Sequence, residues 1–336
     1  AYYQIKIIFK NMKVIIPVAG IGSRLRPLTH TAPKVLLQVA GKPILGHVLD
    51  GLKGLEINEV IFVIGFMGEK IVEYIRKNYK FKSSFVKQKK LKGLGYAVYL
   101  GARRVKAEEP VLIILGDTVF EMDLKPVIRK GCDALGIKEV EDPKRFGIAE
   151  LEDGFARKLI EKPEKPTSRK ALVGVYYVRR GQLLKRALWD MMVKNIRTQG
   201  EYQLTDALQL MIERGVKFST FDVEGWYDCG KPETLLETNR HLLSKLKKTR
   251  EIKGSVIIPP VFIPKSCKLE NSIIGPNVSI GNNAVIRHSV IKNSILGERS
   301  EVNYCLLDSS LVGDNSQVLG KFQKLNVGDS SEVGLD

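Results

Sequence analysis

Val14-Ile15-Ile16-Pro17-Val18-Ala19-Gly20-Ile21-Gly22-Ser23-Arg24-Leu25-Arg26-Pro27-Leu28-Thr29-His30-Thr31-Ala32-Pro33-Lys34 is the stretch on which the reading of this chain turns. Val14 to Val18 is an unbroken apolar run rich in β-branched side chains, the pattern of a strand buried on both faces. Glycines at 20 and 22 follow at once, and glycine lets a backbone approach a ligand with its N–H groups exposed. Arg24 stands directly behind that turn, and Lys34 follows Pro33 ten positions later. A loop of free N–H groups with two cations nearby suits a polyphosphate.

Two well-known phosphate loops do not fit. A dinucleotide fingerprint needs G-x-G-x-x-G, and Leu25 stands where its third glycine belongs. A P-loop needs Gly-Lys-Ser/Thr, and Gly41-Lys42 is followed by Pro43. Two glycines alone would be satisfied by an ordinary turn between strand and helix. The full set G-x-G-S-R-L-R-P-L-T…P-K is more specific, and it resembles the signature loop of the sugar-1-phosphate nucleotidyltransferases, the family of glucose-1-phosphate thymidylyl- and uridylyltransferases. The resemblance implies a Rossmann-like α/β nucleotidyltransferase domain with a mixed central sheet, followed by a C-terminal left-handed parallel β-helix. It implies nucleotide contacts at Ala19, Gly20, Gly22 and Ser23.

Composition narrows the classes further. The 336 residues suffice for one large domain and a smaller one. No run of about 18 apolar residues occurs, so no membrane span is predicted. Residues 1–11 carry only the short apolar patch Ile7-Ile8-Phe9 and no cleavage pattern, so a signal peptide is not predicted; they are read as an extension of unknown role. Cys132, Cys229, Cys267 and Cys305 are scattered without a C-x-x-C, which fits a reducing cytosol rather than a zinc site or disulfide framework. The net charge of +17 would attract polyphosphates or nucleic acid. Its densest stretches, 80–92 and 240–253, lack the interleaved aromatics of a single-strand binder, and the second carries apolar residues at helical spacing, so no nucleic-acid partner is predicted.

Along the chain, helices are predicted at 43–55, 68–79 and 93–105, alternating with strands at 59–64, 83–87 and 111–115. That alternation implies a parallel sheet with helices on both faces and ligands at the carboxyl ends of its strands. Strands at 133–140, 147–151, 157–161 and 171–178 read as a mixed or antiparallel extension. Helices at 182–194 and 204–214, a strand at 217–223 and a long helix at 232–248 complete a domain assigned to 12–250. In 251–336, Ser-Val-Ile at 255 recurs as Ser-Ile-Ile at 272, Ser-Val-Ile at 289 and Cys-Leu-Leu at 305, with spacings of 17, 17 and 16, and a second series, Ser-Ile-Leu-Gly at 294 and Ser-Leu-Val-Gly at 310, is offset by 16. Apolar residues fall every five or six positions, from Ile263 and Leu269 through Ile286 and Val302 to Val318, which is the hexapeptide repeat of a β-helix of about four coils.

The remaining site residues rest mainly on the resemblance. Asp117, at the end of an apolar strand, and Asp228, in Trp226-Tyr227-Asp228-Cys229-Gly230, match the family's two Mg²⁺ carboxylates, and both are predicted on turns after strands. Gln88 and Gly93 match its pyrimidine-reading positions; an amide can pair with thymine or uracil alike, so the base stays open between dTTP and UTP. Glu161-Lys162-Pro163 matches the sugar-phosphate motif, with Gly147 and Tyr176 completing the pocket. The chain departs from bacterial thymidylyltransferases at Gln199, where they place an Arg before Gly-Glu; Arg197 is a nearby candidate to replace it, and the sequence leaves that open. The implied catalytic set is Arg24, Lys34, Asp117, Lys162 and Asp228, acting on a nucleoside triphosphate and a sugar 1-phosphate, most simply glucose 1-phosphate. A homo-oligomer is expected. Acyl transfer by the β-helix and a non-catalytic nucleotide-sugar sensor are the alternatives. The single β-helix histidine, His288, and the short repeat weigh against the first, and the intact charged set weighs against the second.

Overall fold

The computed structural model describes residues 12–246 and 251–321. The extension at 1–11 and part of the basic stretch at 240–253 lie outside the described residues. The chain divides into two compact units, residues 1–37 with 42–238, and residues 38–41 with 239–336. The division falls inside the helix Pro232–Ser244, whereas the sequence assigned the whole of that helix to the first domain.

The first unit is built on β1 (Met12–Val18), β2 (Ile57–Ile64), β3 (Ser83–Lys87) and β4 (Val111–Ile114), which lie parallel in the order β3-β2-β1-β4. Side chains on a strand alternate between its two faces. Ile15, Ile61, Val63 and Ile113 enter the core on one side, and Val14, Ile16, Val60, Phe62, Leu112 and Ile114 the core on the other. Both faces are therefore apolar, which is why the strands read as continuous hydrophobic runs. Burying each such side chain contributes roughly 1.5–3 kcal/mol relative to exposure.

Helices α1 (Ile44–Asp50) and α2 (Gly68–Asn78) cover one face, and α3 (Leu94–Ala102) the other. The first helix is shorter than predicted: Pro43 stands before it in extended conformation, and the chain leaves the helix at Gly51 and turns at Gly54, φ 80°. Beyond β4 come the short strand β5 (Thr118–Glu121), the helix α4 (Lys125–Arg129), and the strands β6 (Ala134–Glu139), β7 (Gly147–Glu152), β8 (Phe155–Glu161) and β9 (Lys170–Val178). Helices α5 (Gly181–Val193) and α6 (Leu204–Glu213) follow, then β10 (Ser219–Asp222), β11 (Gly225–Asp228) and α7 (Pro232–Ser244). The nine-stranded sheet runs β3-β2-β1-β4-β9-β6-β10-β8-β7, with β9 antiparallel to both β4 and β6, so the predicted mixed extension is present.

The second unit is a parallel β-helix of the left-handed hexapeptide type, with three four-stranded sheets. Val256, Ile273, Val290 and Leu306 align in register, reproducing the 17-, 17- and 16-residue coils of the sequence. The predicted rungs point inward: Ile274, Ile280, Ile286, Ile291, Leu296 and Val302 are almost completely buried. Corners fall at residues with positive φ, including Asn271, Asn277, Asn283, Asn293 and Asn315, and asparagine tolerates the left-handed region better than most residues. Corner side chains then bond along the stack, Asn277 Nδ2 to Asn293 Oδ1 and Asn293 Nδ2 to Asp308 Oδ1, both at 2.9 Å. Ile286→Ala should lower the denaturant midpoint, with a cost of roughly 2–5 kcal/mol, because stacked coils cannot collapse into the void; an unchanged urea transition would contradict the rung assignment.

Candidate active site

β1, β2 and β4 end side by side, and the loop behind β1 folds back over that edge in three short 3₁₀ turns. Gly22 adopts φ 72°, and Thr29 Oγ1 donates to its carbonyl at 2.9 Å. A Cβ on Gly22 would lie 2.8 Å from Lys34 Cβ, so the glycine is what lets Lys34 pack against the loop. Gly20 differs. A Cβ there would meet nothing within 4 Å, and its φ lies outside the left-handed region. Nothing in the protein requires glycine at 20, and the space above its backbone is open to a ligand. Ala19 is buried beneath the loop, while Ser23 and Arg24 are exposed on it.

Lys34 Nζ lies 2.7 Å from Asp117 Oδ2. Burial, the largest single influence, would lower the Lys34 pKa, but the charge and hydrogen bond of Asp117 together with the Asp228 charge outweigh it and hold the ammonium above its ordinary value. Burial would likewise raise Asp117, yet the charge and hydrogen bond of Lys34 keep it below the usual carboxylate range. Asp228 comes from far along the chain. It is the last residue of β11, opposite Thr118 of β5, and the Cys229 N–H donates to Asp117 O at 3.2 Å. It is thus a strand residue rather than the predicted turn residue, because the antiparallel pairing with β5 extends through it. Burial and then the neighbouring Asp117 charge raise the Asp228 pKa, against the pull of Lys34, Arg24 and Arg145. Arg24, Lys34, Asp117 and Asp228 therefore share one electrostatic cluster.

Two carboxylates, one of them penalised for its charge, offer hard oxygen ligands suited to a divalent cation such as Mg²⁺. Among the described residues no group of three or more His, Cys, Asp or Glu side chains gathers as a metal site, so such an ion would take its other ligands from substrate or water.

Gln88 follows β3 and is buried, its backbone N–H donating to Ile64 O at 2.8 Å. Gly93, φ 102°, precedes α3, and a Cβ there would stand 2.6 Å from Tyr202 O. The requirement for glycine at 93 thus comes from a chain crossing, where Tyr202 N–H donates to Lys92 O at 2.9 Å. Gly147, Glu161, Lys162 and Tyr176 gather around the Glu161 carboxylate. Gly147 pairs with Glu161 across β7 and β8, Lys162 Nζ stands 3.5 Å from Glu161 Oε1, and burial followed by the Glu161 charge raises the Tyr176 phenol. Thr205 Oγ1 donates to Glu161 Oε2 at 2.6 Å. Thr205 and Arg145 were not singled out from sequence. A threonine in the first turn of α6 and an arginine in a charged turn carry no signal of what faces them. Arg197 is committed to its own turn, with Nε to Asn195 Oδ1 at 2.9 Å, Nη2 to Tyr202 Oη at 3.0 Å, and its guanidinium 4.4 Å from the Tyr202 ring centroid.

Comparison with known proteins bears on the family. Residues 13–245 match the nucleotidyl transferase family, and residues 246–304 match GlmU-like C-terminal hexapeptide repeats. The low-salt glycan biosynthesis nucleotidyltransferase Agl11 of Haloferax volcanii is 30% identical, over 96% of this chain and 100% of its own. The glucose-1-phosphate thymidylyltransferase of Streptomyces antibioticus is 30% identical, over 96% of this chain and 99% of its own. A crystal structure of UDP-glucose pyrophosphorylase complexed with UDP-glucose superposes with a TM-score of 0.60 at 25% identity, covering 70% of this chain and 99% of that one. A glycine loop over the strand ends, the paired acids beyond it and these matches have one reading in common: the chain belongs to the nucleotidyl transferase family and carries GlmU-like hexapeptide repeats.

Proposed function

We propose that the protein transfers a nucleotidyl group from a pyrimidine nucleoside triphosphate, dTTP or UTP, to glucose 1-phosphate, giving dTDP-glucose or UDP-glucose and pyrophosphate. The observation that carries this reading is the cluster of Lys34, Asp117 and Asp228 beside an open glycine loop. A phosphate oxygen of the sugar phosphate attacks the α-phosphorus in line; the bond to the bridging oxygen breaks, and its electron pair leaves with pyrophosphate. The nucleophile is already an anion, so no covalent enzyme intermediate is needed and catalysis is positioning plus charge neutralisation.

In this reading the N–H groups from Ala19 to Ser23 cradle the triphosphate, and Arg24 and Lys34 stabilise charge on it and on the departing pyrophosphate. Gln88 and Gly93 face the base. Lys162 holds the sugar phosphate, and Glu161, oriented by Thr205, accepts from sugar hydroxyls. Gly147 leaves room for that sugar and Tyr176 backs it. Asp117 and Asp228 would hold Mg²⁺, which when bound would neutralise phosphate oxygens. The β-helix serves self-association, a reading supported by the exposed in-register stripe of Val256, Ile273, Val290 and Leu306 and read by sedimentation of the full chain. A second activity, acyl transfer, is favoured only by the GlmU-like repeats; thiol release from acetyl-CoA in the presence of an amino-sugar phosphate would establish it.

Pyrophosphate release, measured across a grid of triphosphates and sugar 1-phosphates, should be greatest for dTTP or UTP with glucose 1-phosphate, and a purine triphosphate as best substrate would overturn the assignment. Arg24→Ala and Asp228→Ala should each lower turnover on the order of 10²-fold, as loss of a transition-state charge contact does. Asp228→Asn adds a readout of opposite sign. The folded pKa of Asp228 is raised, so above it the ionised carboxylate costs more in the fold than in the unfolded chain. In chelator at neutral pH the Asn variant should therefore melt higher than wild type while turning over more slowly. The two loop glycines should separate as well. Gly22→Ala should destabilise by about 1–2 kcal/mol through its left-handed backbone, whereas Gly20→Ala should keep stability and weaken triphosphate binding roughly tenfold. Equal melting of the two variants would contradict the loop geometry.

A further inference from the structure

A cavity of about 760 Å³ lies at the other end of the same sheet, and none of the chemistry above uses it. Strand direction fixes its position. β9 is antiparallel to β4, so Val178 at its end pairs with Val111 at the start of β4. Arg179 and Arg180 come next and therefore stand at the amino ends of the parallel strands, whereas the glycine loop and Asp117 stand at their carboxyl ends. Seven residues of β1, at about 3.3 Å each, put on the order of 20 Å between the two ends.

Arg179, Arg180, Arg186, Arg214 and Lys217 line this cavity against one lining carboxylate, Asp133. All five cations are exposed. Part of the carboxylate's capacity is already used, since Asp133 Oδ1 accepts from the Arg179 backbone N–H at 2.9 Å. Asp190, just outside, pairs with Arg214 at 2.6 Å and reaches Arg186 at 4.0 Å, which orients those two guanidinium groups without balancing the five charges. The rest of the wall is apolar, from Leu183, Met211 and Val216, with Phe155 42% exposed and Lys217 Nζ 5.9 Å from its ring centroid.

A convex basic face is ordinarily just solvated. A concave one with low-dielectric walls focuses its field and concentrates anions. The cations come from the end of β9, from α5, and from the end of α6 with the loop beyond it, so they are spread around the cavity wall rather than presented by one element. Guanidinium forks match phosphate oxygens in pairs. The volume falls within the range of small-molecule sites. We propose that this cavity is a second anion site, which binds a small molecule bearing a chain of two or more phosphates, at a distance from the nucleotidyl-transfer cluster.

Calorimetry of the full chain with inorganic pyrophosphate tests the proposal, with Arg179→Gln/Arg180→Gln as the variant. Both side chains are exposed, so the fold should tolerate the change. Cys132 supplies a second readout, because it lines the cavity and is only partly buried, whereas Cys229, Cys267 and Cys305 are buried. In the wild type, pyrophosphate should slow iodoacetamide alkylation of Cys132. In the double variant that protection should vanish and the corresponding affinity fall about tenfold or more for each guanidinium lost. Protection by ADP at lower concentration than by pyrophosphate would identify a nucleotide as the source of the phosphates, and protection by pyrophosphate at equal or lower concentration would identify the free anion. An unchanged Cys132 rate at saturating pyrophosphate, or equal isotherms for the two proteins, would overturn the site. Nucleotidyl transfer should be unaffected by the double variant, so failure here leaves the proposed reaction standing.

Discussion

Two carboxylates held close together at a strand edge, with one ammonium shared unequally between them, form the constraint on which the first unit depends. Lys34 lies on Asp117 and leaves Asp228 to carry burial and a like-charged neighbour. Like charges repel more strongly in a partly buried site than in water, so such an arrangement persists only where the backbone imposes it. The backbone does so through the β5–β11 ladder and the Cys229 N–H bonded to the Asp117 carbonyl. The strain is electrostatic and reversible, because added positive charge relieves it. This is the behaviour expected of a site that is complete only with its charged ligands in place.

The glycine loop answers the same constraint from the other side. Gly22 gives up its side chain so that Lys34 can pack beneath the loop, which brings the ammonium within reach of Asp117. Gly20 gives up its side chain for nothing within the protein. Two glycines two residues apart thus have different physical reasons, one internal and one facing outward, and only coordinates separate them. Gly93 shows the reverse case. A position assigned to ligand reading is also demanded by the close approach of Tyr202, so its identity alone says little about a base.

The mixed sheet gives the unit two chemically distinct ends. β9 enters between β4 and β6 against the direction of β4, and so carries Arg179 and Arg180 to the end opposite the glycine loop and Asp117. Five cations gather there, around a cavity rather than over a flat face. The β-helix is a simpler object. Each coil repeats the same inward rung and the same left-handed corner, and its order follows from stacking like on like.

The sequence by itself determined whatever depends on neighbours along the chain. The run Val14–Val18 had to be buried on both faces, and its side chains do divide between two cores. The coils had to be 17, 17 and 16 residues long, because a rung that misses its neighbour by one position leaves the core, and the ladder Val256, Ile273, Val290, Leu306 keeps that spacing. Tertiary structure alone decided what depends on which strands meet. Asp228 stands by Asp117 because β11 pairs with β5, Thr205 reaches Glu161 because α6 begins beside the end of β8, and Arg197 turns back onto the Tyr202 ring. Local periodicity reports which face of an element is buried. The choice of partner across a hundred residues is set by the packing of the whole sheet, and no single stretch of sequence contains it.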